Sequence, residues 1–506
     1  MNRKVFATIL AGVLCTISAA PIRLAAAGRS SPAVRIVNAA NDVRSSAVSG
    51  ASVSPSAIPA PIVVYAGTVG PATEPSGCQT PTETASTRPF VQRLGLHRVG
   101  DIVNFTVPPF TGSISIIEQA AGAPPQTVEV LTEPEPFAVP NAAVASLITE
   151  PNGTVLYDDL NGPFPPDLST AHVVAYDTAY TGTITLPNTT QALTDSSHGY
   201  PAGSWSVEVN DRAFECFEAP SLCTGGGSSD QYTLTVITKP IARLLGTLNV
   251  AIYFASEAYS GARELSDANF QRYLATLSNI YQATGVKLGT VRLYDLPAWA
   301  KALYATGVDA SQQGPCAELG QLFTLSQPGD QLNLFFVDDI ASGDGGEFEI
   351  IGIDGSIPAP SGIGGTIASG AIVNDSDLAS GICAATIDFG TCGADEIAYI
   401  SAHEGGHYMG LYHTSEALGN YFDPLSDTAQ CQCSTACLDA DQVQLCSTGQ
   451  LYMTADLCSQ PGSTQCGGAD NLMFWLLQPP YSKGNFSQQQ GKVMRANPVV
   501  RAGASQ

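Results

Sequence analysis

Short runs in which apolar and polar residues alternate fill the chain between about residues 61 and 240, with Gly, Pro, Asn and Asp between the runs. Such alternation is the pattern of a half-buried strand, and turn residues at this spacing separate the strands of antiparallel sheets. We therefore predict an antiparallel β-sandwich over residues 61–240. Its predicted strands are DIVNFTV, GSISII, TVEVLT, AHVVAY, TGTITL, GSWSVEVND and YTLTVIT.

The pattern changes after about residue 245, where longer apolar runs begin. LNVAIYFA, VKLGTVRLYDL and LNLFFVDDI predict buried strands. Between the first two, apolar residues recur at helical spacing, which predicts a helix from about Asp267 to Ala283. Four apolar residues share one face of this helix: Phe270, Leu274, Leu277 and Tyr281. This order predicts an α/β (α+β) domain with a mixed sheet over residues 247–506. The extended segment GGTIASGAIVND suits either an edge strand that presents its backbone to a peptide or an ordinary edge strand.

Residues 1–27 have the pattern of a secretory signal peptide, with a basic start, an apolar run from Val5 to Ile17 and small residues at two cleavage sites. Residues 28–60 are rich in Ala, Ser, Val and Pro without periodicity, which predicts a flexible leader. No later run is apolar over the length that a membrane span needs, so we expect a secreted protein without a membrane partner.

Cysteine usage agrees with export. Without Cys15, which lies in the signal segment, twelve of the 13 cysteines remain, and an even number favours disulfides. Cys216 with Cys223 and Cys383 with Cys392 are predicted local pairs. The six cysteines from 431 to 466 can pair in about fifteen ways that the sequence does not rank. A thiolate zinc site is the alternative for the first three of them, Cys431, Cys433 and Cys437, although an oxidising compartment favours disulfides.

The charge balance restricts the partners. Asp and Glu outnumber Lys and Arg by 45 to 21, which gives a net charge of −24. This charge would repel nucleic acid and anionic lipid, so we expect neither as a partner.

The segment SAHEGGHYMGLYHT contains three of the six histidines. His403 and His407 are four residues apart on a predicted helix, which Asp395 or a neighbour would cap, so both imidazoles can reach one ion. Gly410 can adopt a left-handed conformation that ends the helix and turns the chain, so that His413 approaches from another direction. Three imidazoles with an open fourth position predict a zinc site of the catalytic type.

Glu404 adjoins the first of these histidines but projects at a different angle. It can therefore hydrogen-bond a zinc-bound water, and it is the predicted general base. Activation of water and polarisation of a carbonyl are the requirements of amide hydrolysis, so the predicted substrate is a protein or peptide.

The spacing HExxHxxGxxH resembles the metzincin clan of zinc endopeptidases. The resemblance extends over about residues 247–500 and implies an upper sheet, an active-site helix and a mostly irregular lower subdomain. It also implies a Met-turn, for which Met473 in NLMFW is the match, as an apolar floor beneath the metal ligands. GLYHTSE followed by LSDTAQC is similar to the pappalysin-like branch, which implies bound calcium and makes Asp427 and Thr428 candidate ligands.

Two positions depart from the family pattern. Trp475 stands where several metzincins have a tyrosine that assists the transition state, and its indole N–H is the candidate replacement. Cys78 in PSGCQT is a candidate for the propeptide cysteine that binds the zinc and keeps some family members inactive. If Cys78 had this role, an odd number of cysteines would remain for disulfides.

We thus expect a secreted zinc endopeptidase, with a secreted binding protein or adhesin on the same scaffold as the alternative. The sandwich would serve as an inhibitory prosegment, a substrate-binding module or a secretion aid. Its histidines, His97, His172 and His198, are interpreted as incidental.

Overall fold

A computed structural model describes residues 6–7, 61–76, 90–121, 142–158, 171–174, 178–179, 181–212, 231–241, 246–256, 258–310, 316–341, 349–460 and 462–502. The predicted leader 28–60, the predicted strand TVEVLT, and Cys78, Cys216 and Cys223 lie outside these residues. Of the predicted signal segment only Phe6 and Ala7 are described, and the signal peptide stays a prediction.

The N-terminal half is mainly β-structure. Its elements are β1 (Phe6–Ala7), β2 (Ile62–Thr68), β3 (Val91–Arg98), β4 (Ile102–Val107), β5 (Thr111–Ala120), β6 (Ala142–Thr149), β7 (Val155–Asp158), β8 (Thr178–Ala179), β9 (Thr181–Leu186), α1 (Thr190–Asp195), a 3-10 helix (Ser196–His198), β10 (Gly203–Arg212) and β11 (Gln231–Pro240).

The C-terminal half mixes helices and strands. Its elements are β12 (Gly246–Phe254), α2 (Gly261–Glu264), α3 (Ala268–Ala283), β13 (Val286–Asp295), α4 (Ala298–Tyr304), β14 (Val308–Asp309), α5 (Glu318–Phe323), β15 (Gln331–Val337), β16 (Ile340–Ala341), β17 (Glu349–Ile350), β18 (Gly352–Asp354), β19 (Ala371–Asn374), α6 (Gly393–Tyr408), α7 (Ala440–Ser447), β20 (Leu476–Leu477), α8 (Gln488–Ala496) and β21 (Arg501–Ala502).

The predicted antiparallel sandwich is confirmed for the strands β3 to β11. One sheet has the order β4-β10-β6-β7 with β8 beside β6, and the other has the order β3-β11-β5-β9. Alternate residues of both sheets, among them Ile116, Trp205 and Val236, form the core between them. AHVVAY is not a strand over its described part, because the side chains of Thr189 and Asn188 bond the backbone of Ala171 and Val174 in place of a strand partner.

The strand β2 differs from the expected boundary of the sandwich. It lies in the range that the sequence pattern gave to the sandwich, yet it pairs in parallel with β13, with Ile62 opposite Thr290. Most of its side chains are exposed, so it extends the edge of the C-terminal sheet without adding to either sandwich sheet.

The C-terminal domain contains a mixed sheet of seven strands in the order β18-β19-β15-β12-β13-β2, with β21 beside β12. The neighbours from β19 to β2 pair in parallel, whereas β18 and β21 pair antiparallel. Apolar side chains of α3 and α6 pack on one face of the sheet, and those of α4 and α5 pack on the other. The predicted α/β layer with a mixed sheet is thus present.

The helix predicted from about Asp267 is α3. The Asp267 side chain accepts hydrogen bonds from the backbone N–H groups of Asn269 and Phe270, which fixes the N-terminus of the helix. The helix ends at Ala283, before Gly285 with φ of 79°, and the four apolar residues predicted to share a face are all buried.

The expected edge strand was placed wrongly. The segment GGTIASGAIVND supplies β19, which is paired on both sides, with β15 and with β18. The edge next to α6 is β18. β19 is also fully buried, and a run that is apolar on both faces is typical of an interior strand.

Four disulfides join pairs of described cysteines in the C-terminal domain. Cys383 pairs with Cys392 as predicted, and the six cysteines of the later segment form the pairs 431–458, 433–446 and 437–466. The alternative thiolate site is therefore wrong, because each of its three sulfurs is already bonded to another sulfur. Within the residues that the structure describes, no helix combines the length and apolarity of a membrane span.

Candidate metal centre

Helix α6 carries the first two histidines and is buried along its whole length. Asp395 does not cap it, because the N-cap position is Cys392 and no side chain bonds the first turn there. The Asp395 carboxylate instead accepts two hydrogen bonds from Arg272, at 2.7 and 2.8 Å, and one from Thr276. This buried pair joins α6 to α3 and so fixes the helix against the sheet.

The chain leaves α6 through a turn that only glycine adopts readily. Gly410 has a φ of 101°, a conformation that costs other residues energy because of their Cβ atom. Its N–H donates to the His407 carbonyl at 2.8 Å, and the Leu411 N–H donates to the Gly406 carbonyl at 2.9 Å. These two bonds form a Schellman motif, which returns the chain toward the helix and brings His413 to the other two histidines.

The three imidazoles converge on one point. The Nε2 atom of His403 lies 3.1 Å from that of His407 and 3.2 Å from that of His413, and the latter two are 3.1 Å apart. A tetrahedral zinc ion with nitrogen ligands at 2.0–2.1 Å needs its ligand atoms about 3.3 Å apart. The three nitrogens therefore fit three corners of such a site.

The other ring nitrogen of each histidine fixes its orientation. His403 Nδ1 lies 2.7 Å from the Leu472 carbonyl, and His407 Nδ1 lies 2.7 Å from the Leu411 carbonyl. A carbonyl can only accept, so each Nδ1 carries a proton and each Nε2 presents a lone pair to the centre. His413 Nδ1 faces the Glu416 carboxylate at 3.0 and 3.1 Å, a partner of the kind that orients metal-bound histidines.

The surroundings keep the imidazoles of His403 and His407 neutral. Burial lowers the pKa of His403 to about 3, and the nearby His413 contributes to the shift. Burial likewise holds the pKa of His407 well below its usual value, with His413 and His403 adding to the effect. Metal ions bind neutral imidazole, so the two helix residues are in the required state at neutral pH.

This is the one place, among the residues that the structure describes, where three or more His, Cys, Asp or Glu side chains converge closely enough to hold a metal ion. The donor set is entirely imidazole nitrogen. The site can therefore hold a metal ion, and the chemistry of the donors suits a first-row transition metal such as zinc better than calcium or magnesium.

Met473, the candidate Met-turn residue, packs against α6 at Gly406, one residue before His407. Its side chain is fully buried, and a Cβ placed on Gly406 would lie 2.5 Å from its Sδ atom. The absence of a side chain at Gly406 thus lets the methionine pack against α6 beside His407. The same turn supplies the Leu472 carbonyl to His403, and the Met473 carbonyl accepts from the Thr414 N–H at 2.9 Å.

Glu404 is fully buried, and neither of its carboxylate oxygens has a hydrogen-bond partner among the described residues. Its carboxylate lies against Gly352 of the edge strand β18, where a Cβ would overlap Oε1. Burial, reinforced by the carboxyl of Asp354 on the same strand, raises the pKa of Glu404 well above its usual value. A carboxyl in this environment takes up a proton readily, as a general base must.

The indole N–H of Trp475 is not available for its predicted role in transition-state support. Its indole is buried among the side chains of the disulfide-rich segment, and its Nε1–H donates to the Met453 carbonyl at 2.8 Å. An indole has only this one donor. The bond to Met453 therefore leaves no N–H of Trp475 for a transition state.

The calcium candidates are occupied by protein contacts. The Asp427 carboxylate accepts from Ser487 Oγ at 2.7 Å and from the Gln489 N–H at 2.8 Å, at the start of α8. Thr428 Oγ1 lies 2.6 Å from Asp423 Oδ1 and donates to the carboxylate. Burial raises the pKa of Asp423 to about 8. Bound calcium at Asp427 and Thr428 stays a prediction.

Four partners of the site were missed by sequence reasoning: Glu416, Gly352 and the carbonyls of Leu411 and Leu472. Only Glu416 and Leu411 are local to the histidine segment, since Glu416 follows His413 by three residues and Leu411 follows His407 by four. The sandwich histidines lie in other contacts, such as His172 Nδ1 with Asp195 at 2.6 Å.

No protein-family model and no curated protein matches the chain.

Proposed function

We propose that this chain is a secreted zinc-dependent endopeptidase of the metzincin type, with Glu404 as the general base. The observation that carries the proposal is the approach of three imidazole nitrogens to within 3.2 Å of one another, next to a buried carboxyl one residue from the first ligand. The sequence spacing and the turn at Gly410 agree with this arrangement.

His403, His407 and His413 would hold the metal through Nε2, with Leu472, Leu411 and Glu416 fixing the three rings. Bound zinc supplies a Lewis acid and acidifies water. Glu404 is buried beside the first ligand, and its raised pKa suits it to accept a proton and to pass it to the leaving amine of a peptide. Met473 keeps the floor of the site apolar and holds α6 in place.

Four disulfides support an exported protein, because such bonds form and persist in oxidising compartments. The net charge of −24 supports a protein or peptide substrate over nucleic acid.

The test compares the purified protein with its Glu404→Gln variant. We expect about one zinc ion per chain in both proteins. Casein or gelatin zymography should show cleavage for the wild type alone, and a chelator should abolish it. Equal clearing in both lanes would contradict the role of Glu404, and a wild type without zinc would contradict the whole proposal.

The alternative is a secreted binding protein on the same scaffold. The hydrogen bond from Trp475 to Met453 favours it, because the family's auxiliary donor is then without a replacement. This alternative predicts bound zinc in both proteins and no cleavage by either.

A further inference from the structure

The outer face of the sandwich sheet β3-β11-β5-β9 is covered. Along β5, Ile114 and Ile116 point into the sandwich core, whereas Ser113, Ser115 and Ile117 lie on the opposite face. All five side chains are at most 1% exposed. A sandwich that stood alone would leave this second face in water. Both faces are buried here, so another part of the chain packs on the outer one.

An apolar contact marks the covering segment. Ile117 of β5 and Ile237 of β11 form a cluster with Ile363, which lies between β18 and β19 of the C-terminal domain. The three side chains are at most 3% exposed. The outer face therefore docks on the domain that carries the metal centre, close in sequence to the strand that contacts Glu404.

Lys239 anchors the same face. It is the last residue but one of β11, and its ammonium donates to the carbonyls of Arg495, Asn497 and Val500, the second at 3.1 Å. These carbonyls lie at and beyond the C-terminus of α8, where a helix concentrates negative partial charge. With the side chain only 8% exposed, the cation depends on these acceptors, since an ammonium buried without partners is very unfavourable.

A second polar contact reaches the segment that follows the third histidine. Thr190, at the start of α1, donates through its N–H to the Pro424 carbonyl at 3.1 Å. Its Oγ1 accepts from the Ser426 N–H at 2.8 Å and donates to Gln489 Oε1 at 2.5 Å. The sandwich thus contacts both ends of α8 and the segment 424–426.

We infer that the sandwich is a permanent structural partner of the C-terminal domain, which stays bound after the chain is cut between them, and not a prosegment that is released. A buried cation with three carbonyl acceptors, an apolar cluster and a polar network at α1 are contacts of a fixed interface. None of the tests below uses proteolytic activity, so the outcome is independent of the proposed function.

The first test cuts the connection. Recognition sites for a specific protease are inserted within residues 79–89 and between Ile241 and Gly246, because a single cut would leave the sandwich joined to β2, which pairs with β13. Cys78→Ser and Cys316→Ser remove disulfides that could join the fragments, since Cys316 is disulfide-bonded. The cut protein is run on size-exclusion chromatography beside the uncut protein, and we expect the sandwich in a single peak with the C-terminal domain at the volume of the uncut protein. A separate peak that contains the sandwich alone would overturn the inference.

The second test uses the uncut chain and a matched pair of variants. Lys239→Met keeps the length of the side chain but removes the donors, and Lys492→Met does the same at an exposed lysine on α8. Calorimetry of the wild type should show both domains unfolding in one transition. Lys239→Met should lower its midpoint by about 3–5 °C, and Lys492→Met should leave it unchanged. Separate transitions in the wild type, or equal midpoints for the two variants, would contradict a permanent interface.

Discussion

Asp375 offers a quantitative test of the buried electrostatics beside the metal-binding helix. It follows β19, its side chain is fully buried, and the carboxyl of Asp338 lies beside it. Burial, together with the neighbouring carboxyls of Asp338 and Glu264, raises its pKa to about 9. The proposed perturbation is Asp375→Asn, which keeps the shape of the side chain and removes its titration.

The sign and size follow from proton linkage. In the unfolded chain Asp375 releases its proton near pH 4, whereas in the folded protein it keeps the proton up to about pH 9. Its contribution to stability is therefore present at acidic pH and is lost as the pH rises through this window. The free energy of unfolding falls by about 1.4 kcal/mol for each pH unit, or by about 4 kcal/mol between pH 5 and pH 8. Asparagine has no such dependence.

Urea unfolding of wild type and variant at several pH values measures the effect. We expect the stability difference to move in favour of Asp375→Asn by up to about 4 kcal/mol between pH 5 and pH 8. Titrating groups that do not interact with Asp375 are common to both proteins and cancel in the difference. Asp339→Asn, at an exposed position nearby, is the matched control and should run parallel to the wild type. Parallel curves for Asp375→Asn as well would refute the reasoning.

Three further predictions concern the metal centre. Gly352→Ala places a methyl group on Glu404 Oε1 and 2.8 Å from Ile400, so it displaces the carboxylate, while none of its nearest contacts is one of the three histidines. Zinc should therefore remain bound while hydrolysis of a fluorogenic peptide is lost. Full activity would show that the Glu404 carboxylate lies elsewhere. Glu416→Gln removes the charge beside His413, and competition with a chromophoric chelator should show about 10- to 100-fold weaker zinc binding; unchanged affinity would exclude its orienting role. Trp475→Phe removes the hydrogen bond to the Met453 carbonyl, so urea unfolding should show a free energy of unfolding lower by about 1 kcal/mol. The activity per bound zinc should be unchanged. A loss of activity without a loss of stability would restore the predicted catalytic role of Trp475.

The sequence alone determined the elements whose signals are local. Helix α3 was predictable because its apolar face, its Asp267 cap and its stop at Gly285 lie within one short segment. The same holds for the three histidines, since helical spacing places His403 above His407 and Gly410 permits the turn that returns His413. Sandwich strands were visible through alternation, which depends only on neighbouring residues.

Tertiary structure decided everything that depends on distant parts of the chain. The carbonyl that orients His403 comes from Leu472, 69 residues later. The edge strand of the sheet is β18 and not the expected segment GGTIASGAIVND, because alternation cannot tell which strand occupies the edge of a sheet. Three disulfides were selected from many pairings, Trp475 was turned to Met453, and the sandwich was fixed to α8 through Lys239. The physical reason is common to these cases: packing and hydrogen bonding depend on which surfaces meet in space, and local patterns do not specify that.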